Sequence, residues 1–205
     1  MKTGFKMTLS DEQVAQMCEK QMNQFDEYQK QAAKTAIYPK DRGLEYTALG
    51  LFGEVGEVAN KMKKVIRDQD GVLTDKNRAE IGAEMGDVLW YIAMCAVELG
   101  TSLSALVVED VTTWDGYGNY LSGNTSGALD LAVAVGQYIN WTSDGSEEFS
   151  NGQASRVSVL RLVLVVWGEF CNTLSVRLAD IAQGNLDKLA SRAARNKIGG
   201  SGDER

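Results

Sequence analysis

Apolar residues recur at helical spacing along most of this chain. Leu44, Ala48, Leu51, Val55, Val58, Met62 and Val65 form one stripe, and Ile81, Met85, Val88, Ile92 and Ala96 form another. Steps of three and four place such residues on one face of an α-helix, so helices are expected over about Leu44–Arg67 and Asn77–Leu99. Upstream, Ser10-Asp11-Glu12-Gln13 has the form of an N-terminal cap and opens a helix to about Ala36. Downstream, a short helix is expected from Leu103 to about Thr113, then longer ones at Ala128–Trp141, Arg156–Thr173 and about Ser175–Arg195. Polar and glycine-containing segments separate them. These are Ile37–Gly43 with the single proline, Pro39; Asp68–Lys76 with Asp70-Gly71; Trp114–Gly127; and Thr142–Ser155. The closing stretch, Asn196–Arg205, is too rich in glycine for regular structure without a partner. The pattern predicts an all-α fold.

Length and charge narrow the reading. The chain has 205 residues, which suits a single domain with a real core. A net charge of -7 argues against a surface for nucleic acid polymers, which usually carries a basic excess. A nucleotide substrate stays open, because bound cations reverse the local field. The longest apolar run, Val157–Val166, is interrupted by Arg161 and too short to span a bilayer. Met1–Met7 carries no apolar signal-peptide core, and Cys18, Cys95 and Cys171 read as buried thiols, so a cytoplasmic location is expected. The chain contains no histidine. That removes Ser-His-Asp and Cys-His catalysis, His-ligated zinc and the Glu-x-x-His di-iron arrangement. Acid–base work must come from carboxylates, lysine, tyrosine or metal-bound water.

Two acidic pairs carry the chemistry. Glu54-Val55-Gly56-Glu57 and Glu84-Met85-Gly86-Asp87 are separated by 26 residues and fall on the two central helices. Side chains three apart are neighbours on a helix surface, so antiparallel packing of the two helices can bring four carboxylates together. Like unit charges about 4 Å apart repel by roughly 4 kcal/mol at an effective dielectric near 20. Such a cluster needs protons or cations, and oxygen-only ligation suits Mg²⁺. Gly50, Gly53, Gly56, Gly82 and Gly86 interrupt the same helices, each at about 1 kcal/mol relative to alanine. They suggest that close helix approach or a ligand needs the room. The bland alternative is a surface where these acids pair with Lys61, Lys63, Lys64 and Arg67.

The two halves of the chain also align weakly. Ala48–Leu51 and Val58–Asn60 match Ala128–Leu131 and Tyr138–Asn140, and Leu103–Val111 matches Leu178–Leu186. In this register Glu54, Glu57, Glu84 and Asp87 correspond to Ala134, Gln137, Val159 and Leu162. Either a second copy has lost the acids and serves as scaffold, or two amphipathic halves align by chance.

Ile37-Tyr38-Pro39, Leu49-Gly50-Leu51-Phe52-Gly53-Glu54-Val55-Gly56-Glu57-Val58-Ala59-Asn60-Lys61 and Glu84-Met85-Gly86-Asp87-Val88-Leu89-Trp90-Tyr91 resemble the MazG-like nucleoside triphosphate pyrophosphohydrolases of the all-α NTP pyrophosphatase superfamily. Asn185-Leu186-Asp187-Lys188-Leu189, Arg192, Arg195 and Gly200–Arg205 extend the likeness, which covers roughly residues 28–111 and 178–205. The resemblance implies a single domain over residues 1–205 with a four-helix-bundle-type core, into which residues 112–177 are inserted as extra helices or a degenerate second copy. It implies Mg²⁺, or Mn²⁺, on Glu54, Glu57, Glu84 and Asp87, and hydrolysis of (deoxy)nucleoside triphosphates to monophosphate and pyrophosphate. It implies phosphate contacts from Lys188 and Arg192, with Lys61, Lys197 and Arg205 as further candidates. Trp90, Tyr91 and Tyr38 either stack on the base or belong to the core. A homodimer is expected from the family, unless an internal duplication makes one chain sufficient. A related dUTPase- or dCTPase-like hydrolase and a helical binding module without catalysis are the competing readings.

Overall fold

Thr74 and Asn77 start the helix that carries the second acidic pair. The N–H of Asn77 donates to Thr74 Oγ1 at 3.3 Å, and the N–H of Thr74 donates to Asn77 Oδ1 at 3.2 Å. This reciprocal cap satisfies two donors that a first helical turn leaves open. The computed structural model describes residues 10–107, 126–143 and 152–197. Among them lie seven α-helices and no strand: α1 (Asp11–Ala33), α2 (Gly43–Gln69), α3 (Asp75–Glu98), α4 (Leu103–Leu106), α5 (Ser126–Ser143), α6 (Gly152–Thr173) and α7 (Leu178–Ala194).

The hydrophobic period places these helices to within a few residues, and the departures have local causes. The turn after α2 forms where expected, with Asp70 and Gly71 both at positive φ (50° and 78°). Helix α7 begins at Leu178 and not at Ser175, because Ser175 sits at φ 57° and breaks the right-handed run. The short helix expected to reach Thr113 ends at Leu106, where Val107 turns extended, and residues 108–113 lie outside the described residues. The Trp114–Gly127 and Thr142–Ser155 segments lie largely outside the described residues, as does most of the tail.

Both stripes face inward. Leu51, Val58, Ile81, Val88 and Ile92 are fully buried, together with Leu131, Val135, Tyr138, Leu160, Trp167 and Phe170 from α5 and α6. Each such side chain contributes about 1.5–3 kcal/mol relative to exposure. Four helices share this core: α2 packs on α3 and α5, while α6 packs on α5 and α3. The arrangement repeats itself under exchange of halves. α2 lies on α3 as α5 lies on α6, and α7 covers α3 as α4 covers α6.

Helix α1 crosses outside this core and is fixed by buried polar bonds. Gln29 donates to the carbonyls of Ala93 and Thr101 at 3.3 and 3.1 Å and accepts from the N–H of Leu103 at 2.9 Å. Asp26 accepts from the N–H and hydroxyl of Ser104. Between α6 and α3, the buried Trp167 indole donates to the Met85 carbonyl at 2.9 Å.

Candidate active site

Glu54 on α2 and Glu84 and Asp87 on α3 meet at the seam between the two helices. One carboxylate oxygen from each lies within 4.8 Å of the others, and all three side chains are half-buried. The helix seam is close because Gly50 lacks a side chain: a Cβ there would stand 2.0 Å from the Tyr91 ring. Gly86 serves α7 in the same way, since its Cβ would meet Asn185 Cβ at 3.1 Å. Gly53, Gly56 and Gly82 have open space where a Cβ would be. Two of the five glycines therefore answer to helix approach, and three leave the surface near the acids uncovered.

Glu57 does not join the three. Its side chain is exposed, on the side of α2 away from the seam. Three of the four expected carboxylates share this spot, and Glu57 stands at its rim, close enough to help raise the Glu54 carboxyl.

Lysines balance most of the charge. Lys61 on α2 pairs with Glu84 at 3.1 Å, and Lys188 on α7 pairs with Asp87. Three carboxylates against two ammonium groups leave one negative charge in excess. Consistently, the Glu54 carboxyl is pushed up to about 7, first by burial and then by the Asp87 and Glu84 carboxylates, with Lys188 opposing.

A buried chain of hydrogen bonds reaches Asp87 from behind. Tyr28 on α1 donates to Asn185 Oδ1 at 2.8 Å, and Asn185 Nδ2 donates to Asp87 Oδ1 at 2.9 Å. Both Tyr28 and Asn185 are 4% exposed. Burial and the nearby Asp87 push the Tyr28 hydroxyl well above its ordinary range, so it remains a donor. The sequence pattern gave Asn185 no role of its own and passed over Tyr28. The available signal was a polar residue on the apolar face of α7, one turn after the buried Ile181.

The remaining candidates spread around this centre. Tyr91 lies over Gly50, and its hydroxyl is raised by burial, Tyr46 and then Glu54, which places it beside the acids. Trp90 is half-buried against the core, meets Tyr91 edge-on at 4.8 Å and donates to the Thr35 hydroxyl at 3.0 Å. Tyr38 is buried and donates to Glu98 at 2.7 Å. Arg192 is half-buried one turn beyond Lys188, and Lys197 is exposed after α7. Arg205 lies outside the described residues.

Two clefts deserve separation by place. One of about 400 Å³ opens between α3 and α7 beside the cluster, lined by Arg78, Gly82, Ala83, Gly184, Asn185 and Lys188. Another of about 460 Å³ lies among Lys40, Arg42, Glu45 and Glu98, some ten residues (roughly 15 Å) up the α2 axis from Glu54. Its near edge, Ala48 and Leu49, lies about one and a half turns along α2 from Glu54.

The profile of the MazG nucleotide pyrophosphohydrolase domain matches residues 42–113, which include all four acids. The chain is also similar to the Gene 37 protein of Mycobacterium phage L5, at 49% identity over 92 residues that make up 42% of this chain and 81% of that protein. No solved structure matches the chain. Among the described residues, no single helix is long and apolar enough to cross a membrane.

Proposed function

The chain belongs to the MazG nucleotide pyrophosphohydrolase family, and from that premise we propose that it hydrolyses (deoxy)nucleoside triphosphates to nucleoside monophosphate and pyrophosphate with Mg²⁺, Mn²⁺ substituting. The observation that carries this reading is the meeting of Glu54, Glu84 and Asp87 oxygens within 4.8 Å. The donor set fits a hard divalent cation: half-buried carboxylate oxygens with one uncompensated charge and no sulfur or imidazole among them. Glu54, Glu84 and Asp87 are the residues that would hold it. Bound there, the cation neutralises charge on the phosphate oxygens and makes water more acidic.

The chain's own groups do the remaining work. Lys61 and Lys188 flank the cluster and present ammonium groups to the phosphates, and Arg192 adds a guanidinium that can grip two oxygens at once. A water oxygen bonds to the α-phosphorus, the bond from that phosphorus to the α–β bridging oxygen breaks, and pyrophosphate leaves. Glu57, on the turn after Glu54 and near enough to raise its carboxyl, accepts the proton of the water. Tyr91, in edge-on contact with Trp90 and close enough to feel Glu54, offers a ring for the base. Lys197, exposed after α7, and Arg205 are further cationic candidates for the phosphates.

The domain organisation fits a degenerate duplication, in which α2–α3 keep the acids and α5–α6 act as their scaffold. The exchange symmetry of the packing supports this. One chain then supplies both halves of a site-bearing unit that two subunits would otherwise build.

A panel of (d)NTPs incubated with Mg²⁺ and resolved by nucleotide chromatography should yield monophosphate and pyrophosphate from at least one substrate. Silence across the panel, or full activity in Glu54→Gln, refutes the reading. Glu57→Gln should lose about 10²-fold or more in turnover, as removal of a general base does, while still binding Mn²⁺.

A further inference from the structure

We propose that Tyr28 is a positioning residue for Asp87, acting through Asn185. The inference rests on the metal-dependent reading above and extends it to residues on α1 and α7.

An amide side chain has one accepting end and one donating end. Asn185 must turn its NH₂ toward the Asp87 carboxylate, because the carbonyl end would face like partial charge. The Tyr28 hydroxyl engages the carbonyl end at 2.8 Å and so completes the only orientation that suits both neighbours. Nothing about this chain of bonds is adjustable from solvent, since Tyr28 and Asn185 are each 4% exposed. The backbone leaves space for it, because Gly86, the residue before Asp87, has no Cβ where Asn185 packs.

The consequence lies in the carboxylate plane. With Oδ1 held by Asn185, Asp87 cannot rotate freely, and its other oxygen is kept at the seam with Lys188. A ligand pre-set in this way binds a cation without first being ordered. Outer partners of metal ligands typically change affinity by about 10–100-fold when removed. The hydroxyl of Tyr28 stands one bond further out, so about a tenfold effect or less is expected from its loss.

The test uses the full chain without nucleotide and counts free Mn²⁺ by its electron paramagnetic resonance signal. Tyr28→Phe should weaken Mn²⁺ binding by roughly 3- to 10-fold, while turnover at saturating Mn²⁺ stays within about twofold of the unaltered chain. Tyr138→Phe removes another buried hydroxyl, on α5 beside Cys95, and should leave Mn²⁺ binding unchanged. Asn185→Ala should weaken binding more, and adding Tyr28→Phe to it should cost nothing further, because the two act in series. Equal Mn²⁺ affinity in Tyr28→Phe and the unaltered chain overturns the relay alone. Additive losses in the double variant also overturn it. Failure of the unaltered chain to bind Mn²⁺ overturns the metal-dependent reading and the relay together.

Discussion

Glu54 is the group whose protonation couples this site to stability. Its carboxyl is held up to about 7 in the folded chain against an ordinary 4.5, with burial as the main cause. Between those values the folded state binds a proton that the unfolded state has released. Stability without divalent ions should therefore be greatest at the acid end of this window and fall as pH rises through it. The full shift corresponds to about 3 kcal/mol at most, and solvent around a half-buried group reduces that. Thermal melts in chelator at pH 5 and pH 8 check the sign: the melting temperature should drop between them, and Glu54→Gln should flatten the difference. Added Mg²⁺ should restore stability mainly at pH 8, where the carboxylate is free to bind it. At this scale the sequence was informative about residue type and spacing. It offered Glu54, Glu57, Glu84 and Asp87 together, from acidic pairs at helical spacing and from a family resemblance, yet it could not tell that Glu57 is the exposed one, because a three-residue step is compatible with either side of a seam. Tyr28 and Asn185 lie 157 residues apart, and no local period connects them.

Glycines on α2 separate packing from room for a ligand at the level of elements. Gly50→Ala would drive a methyl group into the Tyr91 ring, which stands 2.0 Å from the added carbon. Overpacking of this kind costs about 1–3 kcal/mol, so a clear fall in melting temperature is expected. Gly53→Ala meets nothing within 4 Å and should raise stability by up to about 1 kcal/mol through helix propensity. If the triphosphate lies over that uncovered surface, the same variant raises KM. Melting curves and steady-state kinetics on the two variants distinguish these roles. The sequence marked all five glycines as unusual but could not sort them, since the sorting depends on what the neighbouring helix places opposite each. It located α2 and α3 well because their apolar stripes are long and regular. It erred at the ends of α4 and α7, where single residues leave the right-handed region.

Across the whole molecule, the exchange-symmetric packing sets the expected size of the working unit. α5 lies on α2 and α6 on α3 within one chain, so a light-scattering mass near 22.3 kDa would mark one chain as the working unit, and a doubled mass the homodimer expected from the family. A dimer would have to cover apolar side chains such as Leu49, Phe52, Leu129 and Val133, which are 58–69% exposed, and its appearance would overturn the self-contained organisation. The alignment of halves in the sequence hinted at this but could not distinguish duplication from chance, because two amphipathic helices share a period without sharing ancestry. The attachment of α7 to α3 carries a genetic consequence. Lys188 faces Asp87 of its own chain, so two inactive alleles, one altered at Glu54 and one at Lys188, cannot lend each other the missing group, and co-expressing them should rescue nothing.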